Sequence, residues 1–141
     1  DTIAIGNSGP GSVWHIAAGL MAQQTGVKVK YVPFDGAAPA VTSLVGGHIQ
    51  AVSVSVAEVR AQVDAGNLKI LGVMDTKRDP LYPNVPTFRE QGVDVTFYTW
   101  RGLALPKGVN AANKAILLSA FKKAFDSPDF KTFAEKQKGR E

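Results

Sequence analysis

The chain has 141 residues, 45% of them hydrophobic and 20% charged, with a formal net charge of +4. That length carries a domain-sized core, and that composition belongs to a globular chain rather than a disordered one. It has no cysteine, which excludes disulfides, thiolate metal sites and a cysteine nucleophile, and no apolar run nears the roughly 18–20 residues of a membrane helix.

The elements alternate from the start. Thr2–Ile5 reads as a strand, with no signal peptide expected ahead of it. A loop rich in glycine and serine follows, then a helix over Ser12–Thr25 with Val13, Ile16, Ala17, Leu20 and Met21 on one face and Gly26 as its stop. Val27–Val32 predicts a strand, and Ala37–Val45 a helix ended by Gly46-Gly47. Gln50–Ser55 predicts a strand, Val56–Ala65 a helix, and Lys69–Met74 a fourth strand, apolar enough for burial on both faces. Four strand–helix alternations argue for a mostly parallel α/β sheet with flanking helices.

The second half changes character. Asp79–Pro86 is a proline-rich loop, and Thr87-x-x-Glu90 has capping-box spacing for a short helix closed by Gly92. Val93–Leu105 reads as one long, hinge-like extended strand. Two helices follow, about Ala111–Phe125 and one announced by Ser127-Pro128, with apolar stripes at Leu118, Phe121, Phe125, Phe130 and Phe133. The charge is uneven too. Residues 1–106 hold eight Lys/Arg against eight Asp/Glu, and residues 107–141 hold eight against four. These lysines are spread along helices instead of forming a basic stripe with aromatic readers, so no nucleic-acid partner is expected.

Three strand-to-helix corners carry the chemistry. In "GNSGPGS" the loop Ser8–Ser12, with Gly9 and Gly11, lacks the Lys-Ser/Thr of a P-loop and fits neither G-x-G-x-x-G nor G-x-S-x-G. What remains is a small turn before a helix, offering N–H donors and a positive dipole end to an anion, or simply capping the helix with Ser12. The second corner is Phe34-Asp35-Gly36 leading into Ala37-Ala38-Pro39, where small residues admit a ligand close to the backbone. At the third, Ser53 and Ser55 leave a strand for a helix. In a parallel sheet all three lie at the carboxyl ends of the strands, the edge where such sheets bind ligands.

The catalytic inventory is thin. His15 is close in sequence to Ser8 and Ser12, so a Ser–His pair is conceivable, but no acid is placed to orient it. His48 reads as a turn residue, and two isolated histidines make no zinc site. Asp35, Glu58 and Asp75 stand singly, and Arg101 either pairs with a carboxylate or serves structure. Binding without conversion, and without a cofactor or metal, is the expectation. The alternative is a phosphate- or nucleotide-handling α/β enzyme domain that uses the Ser8–Ser12 loop with His15 as base.

The segments "GNSGPGSVWHIAAGLMAQQTGV", "YVPFDGAAPAVTSLVGGHIQ", "VDAGNLKILGV", "KRDPLYPNVPTFREQG" and "TWRGLALPKGV" stand in this order. Together they resemble the extracytoplasmic solute-binding proteins of tripartite tricarboxylate transporters. The most specific pieces are Val32–Ala40 and Pro83–Gly92. The resemblance covers essentially the whole chain, although family members are about twice as long, and it implies a fragment. It implies a type II periplasmic-binding-protein lobe over residues 1–105, with residues 106–141 as helices that pack on a first lobe. It implies a periplasmic receptor that holds a small carboxylate between lobes and delivers it to membrane transporter subunits. By the same resemblance, Ser8, Gly9, Gly11 and Ser12, then Phe34, Gly36, Ala37 and Ala38, then Ser53 and Ser55 line the cleft, with Thr99 and Trp100 matching the tricarboxylate-type branch. Val54 stands where many relatives carry Asp or Asn.

Overall fold

A computed structural model describes residues 2–100 and 102–136. The chain divides into two units, one running up to Thr99 and one starting at Trp100. In the first unit β1 (Ile3–Asn7) lies between β2 (Val29–Pro33) and β3 (Ala51–Val52), in the order β2-β1-β3, with both pairings parallel. Ile3 to Asn7 stand opposite Val29 to Pro33, and Ile5 and Gly6 opposite Ala51 and Val52. Helices α1 (Val13–Thr25), α2 (Ala37–Val45) and α3 (Val56–Asp64) follow the three strands in turn. Right-handed crossovers running in opposite directions along the sheet put α1 on one face and α2 on the other, and α3 packs beside α2.

The centre of the core is the end of β1, where Ile5, Gly6 and Asn7 are all buried. Gly6 is glycine because its neighbours leave no room for anything else. A Cβ there would lie 2.6 Å from Ile49 Cδ1 and 3.2 Å from the Phe34 ring. Helix α1 buries Ala17 and Ala18, while Ile16 is 50% exposed. The buried stripe is thus rotated from the one the apolar periodicity suggests. The helix is apolar almost all round, so periodicity alone does not select a face, and the two alanines are small enough for close approach.

Two predicted strands do not form. Lys69–Met74 makes a single parallel bridge, Val73 to Thr87, and Leu71 is 68% exposed. β3 is only two residues long, so it offers too short a ladder to seat a further neighbour. The long strand expected over Val93–Leu105 forms no ladder among the described residues. It is held locally instead, with the Phe97 N–H donating to the Met74 carbonyl at 2.8 Å. Arg101 lies outside the described residues.

The proline-rich loop is tied down by one carboxylate. Glu90 accepts the Thr87 N–H at 2.8 Å while Thr87 Oγ1 accepts the Glu90 N–H at 3.1 Å, a reciprocal capping box. It opens a single 3₁₀ turn, Arg89–Gln91, closed by Gly92. Arg78 Nε donates to both Glu90 carboxylate oxygens at 3.0 Å, and its Nη1 reaches the Pro83 carbonyl at 3.0 Å.

The second unit contains α4 (Ala111–Phe125) and α5 (Pro128–Lys136). Asn110 caps α4 through the Asn113 N–H at 2.8 Å, and Ser127 Oγ accepts the Phe130 N–H at 3.1 Å with Pro128 at the first helical position. Phe125, Phe130 and Phe133 stack in sequence, with ring centroids 5.0 and 6.3 Å apart, and remain exposed along with Leu118 and Phe121. Among the described residues no helix is long and apolar enough to cross a membrane.

Two expectations follow. Gly6→Ala lowers stability by about 1–3 kcal/mol through overpacking, read as a lower urea or thermal midpoint; an unchanged midpoint would mean that Ile49 and Phe34 yield without cost. The second concerns Glu90, whose carboxyl is held below its ordinary 4.5, first by the Arg78 hydrogen bond and then by the Thr87 N–H. A depressed carboxyl stabilises the fold above its unfolded value and stops doing so as pH falls through the folded one. The stability gap between the native chain and Glu90→Gln is therefore widest near neutral pH and narrows in acid, below 4.5. It also shrinks with salt, because the pair is exposed. Urea midpoints at neutral and acid pH measure this, and a gap independent of pH would remove the ion pair from the account.

Candidate functional site

At the first corner the backbone turns from β1 into α1 through a loop that the protein partly satisfies itself. The buried Asn7 accepts the Gly9 N–H on Oδ1 at 3.0 Å, an Asx turn, and the Ser12 N–H donates to the Gly9 carbonyl at 3.1 Å. Ser12 is the N-cap of α1, its Oγ accepting the His15 N–H at 3.2 Å. The Gly11 N–H donates to His15 Nδ1 at 2.9 Å. The N–H groups of Ser8, Val13 and Trp14 have no acceptor among the described residues. The Ser12 hydroxyl proton also stays available, since its oxygen is used only as an acceptor.

The second corner sits beside the first. The Phe34 N–H donates to the Asn7 carbonyl at 3.0 Å, and the Gly36 N–H folds back on the Phe34 carbonyl at 2.9 Å. Gly36 is the N-cap of α2 and has no side chain to cap it. The Ala37 and Ala38 N–H groups consequently have no acceptor among the described residues, and Pro39 has no N–H to satisfy. Gly9, Pro10, Pro33, Phe34, Asp35 and Pro39 surround an open pocket of about 530 Å³ between the two corners. Asp35 is the one acidic side chain on its rim.

The third corner differs. The Glu58 carboxylate accepts both the Ser55 N–H at 2.8 Å and the Ser55 hydroxyl at 2.9 Å, so the start of α3 already holds a negative group from its own helix. Ser53 gives its N–H to the Gly6 carbonyl at 2.9 Å. Ser53, Ser55 and Thr99 border a separate, mostly apolar cavity of about 830 Å³ among α1, α3 and the segment from Asn67 to Pro80. Trp100, 87% exposed, belongs to the second unit. The candidate residues thus fall into groups, with Gly9 and Phe34 on one pocket, flanked by the free donors of Ser8, Ala37 and Ala38, and Ser53, Ser55 and Thr99 on another.

The catalytic pairing considered from sequence does not form. Ser12 Oγ meets the backbone of His15, not its ring, and the ring nitrogen facing the loop accepts from Gly11. No group of three or more His, Asp or Glu side chains gathers to hold a metal among the described residues.

A family model described as the tripartite tricarboxylate transporter family receptor matches residues 1–139. The chain belongs to this receptor family. A TctC solute-binding protein from Polaromonas is 42% identical with a TM-score of 0.77, over 97% of this chain and 48% of that one. MatC from Rhodopseudomonas palustris, solved with bound malate, is 30% identical with a TM-score of 0.78, over 92% of this chain and 45% of its own. An adipate-bound protein of R. palustris is 26% identical with a TM-score of 0.78, over 90% and 43%. The chain spans less than half the length of these proteins and about two fifths of the first curated relatives it matches. Its α/β fold is the one it shares with these proteins.

Two features of this chain escape a motif reading. Asn7 is hidden inside the glycine-rich string, although an Asn two places before a Gly is the mark of an Asx turn. The bond from Gly11 to the His15 ring leaves no signature beyond a spacing of four, and that spacing becomes meaningful only once α1 starts at Val13.

Proposed function

We propose that this chain is the ligand-facing part of a periplasmic receptor that captures a small di- or tricarboxylate and passes it to membrane transporter subunits. The observation that carries the reading is the pair of strand-to-helix corners before α1 and α2, which line one pocket and whose first helical N–H groups have no acceptor among the described residues. Such groups bind anions without a countercharge, because aligned peptide dipoles place partial positive charge there. Malate and adipate in the neighbouring structures support the ligand class.

In this reading the N–H groups of Ser8, Val13, Trp14, Ala37 and Ala38 hold carboxylate oxygens, and the Ser8 and Ser12 hydroxyls orient them. Gly9, Gly11, Phe34 and Gly36 shape the walls. Ser53 and Thr99 contact the part of the ligand furthest from this corner, and Ser55 joins them if Glu58 releases it. The apolar stripe of α4 and α5 packs on the remainder of the longer receptor. Capture makes and breaks no covalent bond, so it calls for no cofactor. The 141 residues match less than half the length of the neighbouring structures, so in this reading they supply part of a cleft and bind weakly on their own.

Titrating the 141-residue chain with malate and with adipate while following amide shifts tests this. Saturable shifts at residues 8–14 and 36–38 with both acids, and none with ATP, are the expected result; shifts with ATP alone would transfer the site to a phosphate ligand. Asp35 gives a second expectation. Like charges sharing a small wet pocket repel by about 0.5–1 kcal/mol, so Asp35→Asn tightens malate binding roughly two- to fivefold. A weakened affinity would instead make Asp35 a ligand contact.

A further inference from the structure

We propose that His15 is the positioning residue of the anion-facing loop and makes that loop sensitive to pH. The consequence for capture rests on the receptor reading above; the switch itself does not. The Gly11 N–H points at His15 Nδ1 from 2.9 Å, and the same residue's backbone N–H is held by Ser12 Oγ at 3.2 Å. One residue therefore grips the loop twice, once through its ring and once through its backbone. Gly11 has φ 72°, a left-handed conformation open to glycine at little cost, and among the described residues the ring alone accepts its N–H. The hydrogen bond requires Nδ1 to be an acceptor, hence a neutral imidazole with its proton on Nε2. A second proton must go to Nδ1. That nitrogen then becomes a donor facing another donor, and the Gly11 bond cannot persist.

Among the described residues, the charged side chain nearest the loop in the fold is Asp35, across the pocket from Gly9 and Pro10. Neither the loop at residues 8–12 nor α1 carries a charged side chain, and β1 has no titratable residue. From β2, Tyr31 packs edge-on against the imidazole with centroids 4.9 Å apart. Lys30, next to it on the strand, points to the other face by alternation. The charge gained on protonation would by itself attract an anion. Release of Gly11 acts the other way, by dissolving the arrangement that presents the neighbouring N–H groups. The prediction is that release prevails and that capture weakens in acid.

The test reads the Gly11 amide of the 141-residue chain, without ligand, between about pH 5 and 8, where histidines titrate. The Gly11 amide is expected to move with the same midpoint as the His15 ring protons. In His15→Asn, whose Oδ1 takes the place of Nδ1 as acceptor, it stays still. In His15→Gln, whose acceptor falls nearer the Nε2 position, it is displaced at every pH. A Gly11 amide that ignores the His15 titration in the native chain overturns the proposal, and that measurement needs no variant to fold. Malate affinity at about pH 5.5 and 8 is then compared with the same pair in His15→Asn, in which malate's own ionisation is the change left. A loss of about two- to tenfold confined to the native chain supports the regulatory half, and an equal pH response in both overturns it. If Gly11 titrates with His15 while malate binds at neither pH, the switch stands and the carboxylate-receptor reading fails.

Discussion

Parallel pairing on both sides of β1 is the constraint from which the rest of this structure follows. Parallel strands must all leave the sheet at the same edge, so the three connections out of β1, β2 and β3 turn side by side. Each connection leads into a helix, and each helix brings its N-terminus to that edge. Segments almost thirty residues apart in sequence thereby become neighbours, as Asn7 and Phe34 do through the bond from the Phe34 N–H to the Asn7 carbonyl. The pocket between Gly9 and Phe34 is a consequence of topology before it is a consequence of side chains.

Side chains then decide how each corner is used. Asn7, buried at the end of β1, ties down the start of the first loop, and the bare Cα of Gly6 lets the Phe34 ring and Ile49 close over the strand behind it. Together they form the floor of the edge, and the N–H groups of Ser8, Val13, Trp14, Ala37 and Ala38 have no acceptor among the described residues. The same helix-terminus physics is modified at the third corner. There Glu58 lies three residues past Ser55 and its carboxylate takes the Ser55 N–H and hydroxyl, while the Val56 and Ala57 N–H groups have no acceptor among the described residues. Two termini without an acid of their own and one that carries Glu58 set where an external anion finds attraction and where it meets a negative charge.

The Arg78–Glu90–Thr87 cluster holds the loop behind this edge in a similar economy of groups, one carboxylate serving both a cap and an ion pair. Thr87 and Glu90 both belong to the proline-rich stretch that carries the family resemblance. Their spacing is that of a capping box, and the structure realises it as a single 3₁₀ turn.

Much was legible in the amino-acid order alone, because it was encoded locally. Ser12 and Gly26 mark the ends of α1, and Ser127-Pro128 opens α5, since caps act within one turn of the residues that form them. The α/β class followed from alternation, and the receptor family from the ordered motifs. What only the tertiary structure decided was non-local. The run Lys69–Met74 has a strand's composition, yet a ladder depends on the neighbour, and β3 is too short to provide one. The apolar helix α1 has no unique face until β1 chooses Ala17 and Ala18. Whether a corner offers its N–H groups or consumes them depends on partners such as the His15 ring and the Glu58 carboxylate, whose reach is set by the fold and not by the order of the residues.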